Sequence, residues 1–158
     1  MNIREKLPKN NLSTVSASVA IVPDPDHPAP VKEVAGIFSE LYDKGVLPGF
    51  IYERQNMEEA FDGLGNCHMI AIAFMTDVAM AKAEAGWSWV EGHCKRSDGF
   101  TFKHSWLEYS GCAVEANHTP ILVMSRWFYR KHRKVHSPKV RTAKQFRKWM
   151  CYRSGRNQ

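Results

Sequence analysis

No acidic residue occurs in residues 116–158, a stretch that carries 12 Lys and Arg. The preceding 115 residues hold 10 Lys and Arg against 16 Asp and Glu, so the formal charge of +6 averages an acidic body and a strongly basic end. Such an end is an electrostatic footprint for nucleic acid, an acidic protein or an anionic surface. Long apolar runs are also missing. The richest one, residues 67–81, is interrupted by His68, Thr76 and Asp77, which excludes a membrane-spanning helix there. Met1 to Asn11 is polar and lacks the apolar centre of a signal peptide, which predicts a cytoplasmic protein with its four cysteines reduced. No Cys-x-x-Cys pair, internal repeat or low-complexity tract is present. Without paired ligand spacings, His68, His93, Cys94, His104 and Cys112 make a poor zinc set, and no metal or cofactor is expected.

At 158 residues the chain fits one domain with a real core. Four of its eight prolines fall in Pro23–Pro30, which excludes a helix or central strand there. Residues 1–30 therefore read as an irregular arm outside the core, with weak strand character over Ser13–Val22. Val31, Val34, Ile37, Phe38, Leu41 and Tyr42 recur at helical spacing, and Gly45 provides a stop. A glycine-bearing loop, Phe61 to Asn66, leads to an Ala- and Met-rich helix from Cys67 to Ala85. Trp87–Cys94, Phe100–Tyr109 and Cys112–Ala116 read as strands joined by short turns, an antiparallel meander. Ile121–Tyr129 reads as a fourth strand and Lys139–Tyr152 as a helix. The expected organisation is an arm over 1–30, an α+β core over 31–135 and a basic C-terminal helix within 136–158.

The chemistry concentrates between Gly65 and Asn117. A cysteine that opens a helix sits where unpaired N–H groups and the positive dipole end favour the thiolate. The same N–H groups can donate to an oxyanion. His104 lies mid-strand, and Glu115 lies on the next strand, where the two side chains can meet. These positions predict Cys67 as nucleophile, His104 as general base and Glu115 as the acid that orients the imidazole. Taken singly, each has a plainer reading: a buried small side chain, a structural histidine and a solvated glutamate.

Gly65-x-Cys67, the Ala-rich helix, Val90-x-Gly92, His104-x-Trp106-x-Glu108 and Val114-Glu115 together resemble the transglutaminase-like branch of the papain-fold cysteine enzymes. The likeness covers residues 65–117. It implies a nucleophile-bearing helix on an antiparallel sheet, and attack on an amide carbonyl through a thioester. Proteases, amidases, deamidases and transglutaminases all work this way. The acid position holds Glu115-Ala116-Asn117 where the family has Asp-Pro-Thr, which leaves Asn117 as an alternative orienter. Gln55 and Asn66 are the candidate oxyanion donors, and Trp89 and Trp106 the candidate cleft walls. No calcium loop accompanies the motif, so hydrolysis of a peptide or side-chain amide is expected before acyl transfer.

A second class of function rests on the basic segment 126–156. Arg126-Trp127-Phe128-Tyr129-Arg130-Lys131-His132-Arg133-Lys134 interleaves cations with aromatics, which suits phosphate contacts and base stacking. On that reading the chain is a non-catalytic binding module for nucleic acid or an acidic protein.

Overall fold

The structure is a computed structural model, and it describes residues 12–16, 18–24, 26–27, 29–43, 71, 75, 86–96, 98–115 and 120–156. Its elements are β1 (Ser13–Thr14), β2 (Val19–Ile21), α1 (Val31–Asp43), β3 (Ser88–Lys95), β4 (Thr101–Tyr109), β5 (Cys112–Glu115), β6 (Ile121–Ser125), α2 (Arg126–His132), β7 (His136–Thr142) and α3 (Ala143–Arg156). Among the described residues one seven-stranded sheet runs in the order β1-β2-β6-β5-β4-β3-β7. The protein is α+β, as expected. The sheet is mixed, not purely antiparallel, because β2 pairs parallel with β6.

That pairing corrects the reading of residues 1–30 as an arm outside the core. Val19, Ala20, Ile21 and Val22 are all buried. A strand buried on both faces shows no polar alternation, and the prolines that follow it mask its strength. The proline-rich segment is itself anchored. Ser125 Oγ donates to Asp24 Oδ2 at 2.8 Å, and the His27 ring stacks on Trp127 with centroids 3.6 Å apart.

Side-chain alternation gives the sheet two covered faces. On the first, Ile21, Trp89, Leu107, Val114 and Val123 pack with Val34, Ala35 and Phe38 of α1 and Phe146 of α3. Ala71 and Met75, both helical and buried, belong to this same cluster. On the second face, Ala20, Val90, Cys94, Trp106, Ala113, Leu122 and Met124 pack with Tyr129 of α2.

Two further expectations change. Ile121–Tyr129 is a strand only to Ser125, whose side chain then caps α2 by accepting from Phe128 N at 3.0 Å. Lys139–Thr142 belongs to β7, which pairs with β3, so the helix starts at Ala143 and the segment 136–156, expected as a helix within 136–158, is strand then helix. Thr142 and Gln145 form a reciprocal capping box: Gln145 N donates to Thr142 Oγ1 and Thr142 N to Gln145 Oε1. Thr-x-x-Gln was the sequence signal for that boundary.

Gly92 is the strand position that makes room for the second face. It pairs with His104, and a Cβ there would meet Trp106 Cη2 at 3.0 Å and Val135 Cγ1 at 3.2 Å. Trp106 is wholly buried and its Nε1 is tied to Glu108, so it cannot move aside. Gly92→Ala is expected to destabilise the protein by about 1–3 kcal/mol, read from the urea midpoint. An unchanged midpoint would mean that the indole has room the packing does not indicate.

Candidate functional site

His104 and Glu115 lie on adjacent antiparallel strands and point to the second face, beside Trp106. His104 Nε2 and Glu115 Oε1 are 2.8 Å apart, so the ring donates from Nε2 to the carboxylate. Glu115 Oε2 accepts from Tyr129 Oη at 2.7 Å and from Arg133 Nη2 at 3.0 Å. All four side chains are buried, His104 and Tyr129 completely. The four therefore form one polar network inside an aromatic shell, with Phe102 and Trp106 flanking the imidazole at 5.8 and 5.9 Å between centroids.

Electrostatics fixes the charge states. Burial alone would raise the Glu115 pKa, but His104 and Arg133 beside it, with the hydrogen bonds from His104 and Tyr129, hold the carboxyl well below the usual range. Burial, and then the neighbouring carboxylate, push the Tyr129 phenol well above its ordinary value. For Arg133 burial is the largest influence and opposes the charge, but the neighbouring groups, Glu115 first among them, and the hydrogen bond to Glu115 together outweigh it, so the guanidinium stays charged. The network holds an ionised carboxylate, a neutral phenol and a guanidinium in a dry interior. Such a carboxylate can lock an imidazole in one tautomer and orientation and stabilise it when protonated.

A second carboxylate ties α2 to the same face. Glu108 accepts from Trp106 Nε1 at 3.0 Å and from both Nε and Nη2 of Arg130 at 3.0 Å. This forked pair and the Arg133 pair consume two cations of the Arg126–Lys134 stretch. Within that stretch Arg130 and Arg133 pair with carboxylates of the sheet, while Arg126, Trp127, Lys131 and Lys134 are exposed. Tyr129 and Arg133 escaped sequence reasoning. Their signal was the four-residue spacing that puts both on one helical side, facing the strand of Glu115.

Of the predicted site residues, His104 and Glu115 are brought together, and Trp106 lines their face. Trp89, expected beside the same cleft, lies on the opposite face against Phe146 and Trp149. Strand alternation decides this, since Trp89 and Val90 must point to opposite sides. Cys67, Gln55, Asn66 and Asn117 lie outside the described residues. Ala71 and Met75, which follow Cys67 at helical spacing, pack on the face away from His104. Among the described residues no helix is long and apolar enough to cross a membrane. In comparisons with protein-family models, curated proteins and solved structures, the chain matches none of them.

Proposed function

We propose that this protein is a cysteine-nucleophile hydrolase of a peptide or side-chain amide, with Cys67, His104 and Glu115 as its triad. One observation carries the reading. The histidine and acid of the His-x-Trp-x-Glu and Val-Glu motifs are hydrogen bonded at 2.8 Å, and the acid is itself held by two further donors. With the Nε2 hydrogen committed to Glu115, Nδ1 is the basic nitrogen that takes the Cys67 proton. The thiolate adds to the amide carbon. The imidazolium gives its proton to the leaving amine, and the C–N bond breaks to leave a thioester. Water then gives a proton to His104 and adds to the thioester, which releases the carboxylic acid and restores the thiol–imidazole pair. The reading requires Cys67 to reach the Trp106 face of the sheet.

The position of Ala71 and Met75 on the other face favours a second reading. There the His104–Glu115–Arg133–Tyr129 network is a structural lock, and the chain acts through its basic surface.

Iodoacetamide alkylation across pH separates the two. Burial and the nearby Glu33 carboxylate push the Cys112 thiol up to about 11, so it stays silent near neutrality. Cys151 is exposed and is replaced by Ser for the titration. An activated Cys67 reacts with a midpoint well below the ordinary thiol value of about 8.5, and loses that shift in His104→Ala. A Cys67 midpoint indifferent to His104 sinks the hydrolase reading.

A further inference from the structure

We infer that the outer side of α2, with Trp127, Lys131 and Lys134, binds single-stranded nucleic acid. The inference deepens the second reading above, in which the chain acts through its basic surface, and it uses none of the triad residues. α2 has two sides. Tyr129 and Arg133, four residues apart, face the sheet and hold Glu115. Trp127, Lys131 and Lys134 recur at i, i+4 and i+7 on the other side, and all three are exposed. They make a stripe about 10 Å long. Lys95 N donates to Arg133 O at 3.0 Å, which brings the exposed Lys95 to the end of that stripe.

The charge of this stripe is not cancelled. Among the described residues, the carboxylates that reach α2 are already engaged: Glu108 with Arg130 and Arg126, Glu115 with Arg133, and Asp24 with His27. Asp98, in the turn beyond Lys95, is held by Arg96. Lys95, Lys131 and Lys134 belong to none of these ion pairs, and no acid lies between residues 116 and 158. Lys134 also sits against backbone preference. It ends α2 as the left-handed residue of a Schellman motif, with a φ of 49°; its N–H donates to Lys131 O at 3.1 Å, and Val135 N donates to Arg130 O at 2.9 Å. Glycine is the usual residue there, and a lysine adds strain in exchange for a cation at the end of the stripe.

Ring surface selects the ligand. Trp127 is 48% exposed. The His27 ring stacks on it at 3.6 Å between centroids, and His27 Nδ1 itself donates to Asp24 Oδ2 at 3.0 Å. The indole is thereby backed and oriented. The Lys131 ammonium lies over the same ring, 4.6 Å from its centroid. A flexible lysine gives way to a base, whose stacking on the indole leaves the ammonium beside the adjoining phosphate. Lys134 and Lys95 carry the cations on along the strand. An acidic polypeptide would need only the point charges and no ring. An anionic membrane takes up an apolar helix face, whereas α2 turns Tyr129 toward the sheet and exposes Arg126, Trp127 and Lys131. An oriented ring beside a line of lysines is the pattern of single-strand recognition.

The test is fluorescence anisotropy of the full chain with a mixed-sequence single-stranded oligonucleotide of about 20 nucleotides, from about 50 to 300 mM salt. Binding is expected to weaken steeply with salt. Lys131→Ala/Lys134→Gly is expected to lose affinity at least about tenfold and to lower the salt slope by about 1.4, from two phosphate contacts at about 0.7 each. Its urea midpoint should hold or rise, because glycine suits the left-handed position, so lost binding would not be lost fold. Trp127→Ala is expected to lose affinity at least about fivefold with the salt slope unchanged, because stacking releases no counterions. Lys144→Ala/Lys148→Ala removes the same charge from exposed positions of α3, which packs on the opposite face of the sheet, and should leave affinity and slope nearly unchanged. Absence of salt-sensitive binding overturns the inference, as does a Trp127→Ala variant that binds as tightly as wild type. A loss in the α3 pair equal to that in the α2 pair also overturns it, but leaves the basic-surface reading standing. Equal displacement by polyglutamate overturns it in favour of an acidic polypeptide, and equal binding to phosphatidylserine vesicles in favour of a membrane surface. Alkylation of Cys67 tests the second reading on its own.

Discussion

Glu115→Gln is expected to cost about 3–5 kcal/mol of folding stability at neutral pH. Glutamine keeps the volume and can still accept hydrogen bonds, but it leaves the Arg133 guanidinium buried without its carboxylate. The pH dependence carries the sign. The folded-state pKa of Glu115 lies well below the ordinary value of 4.5, so its contribution is complete above that value and is lost as pH falls toward the folded one. Wild type should therefore lose stability steadily below about pH 4.5. The variant should lack that part of the acid limb, and the gap between the two should narrow on acidification. Urea denaturation at several pH values measures it. Parallel curves would mean that Glu115 is not ionised in the native core. Adding Arg133→Met should recover part of the loss, because an apolar side chain of similar length removes the uncompensated charge.

If the triad operates, Cys67→Ala and His104→Ala should each lower amide turnover by about 10⁴-fold or more. The double variant should be no worse than either single one, because the thiolate and its base act as a unit. Glu115→Gln should fall by less than His104→Ala and should move the pH profile, because it alters how the imidazolium is held without removing the base. Turnover of a peptide amide, compared with circular dichroism of each variant, checks this. Full turnover in folded His104→Ala would assign the buried network to structure alone, which is the second reading.

The residues that meet on the second face show where sequence was enough. His104 and Glu115 were legible because strand alternation and short turns limit which side chains of neighbouring strands can touch. The helix over Val31–Asp43 and the strands β3 to β5 were legible for the same local reasons. Beyond local patterning, sequence reading failed in identifiable ways. Val19–Ile21 read only as weak strand character in an arm outside the core, because a strand buried on both faces carries no alternation and its partner β6 follows about a hundred residues later. Lys139–Thr142 was taken for helix because an edge strand gains its hydrogen bonds from β3, and nothing within the segment announces that partner. Arg130 and Arg133 looked like surface charge because pairing with Glu108 and Glu115 is a property of packing, not of composition.

Sequence by itself determined the helical and strand periodicities, the histidine–acid pair and the division into an acidic body and a basic end. Only the tertiary structure decided which cations pair with buried carboxylates and which stay exposed. It alone put Trp89 and Trp106 on opposite faces of the sheet. Periodicity sets the side of an element on which a residue lies, but what meets that side depends on contacts between distant segments.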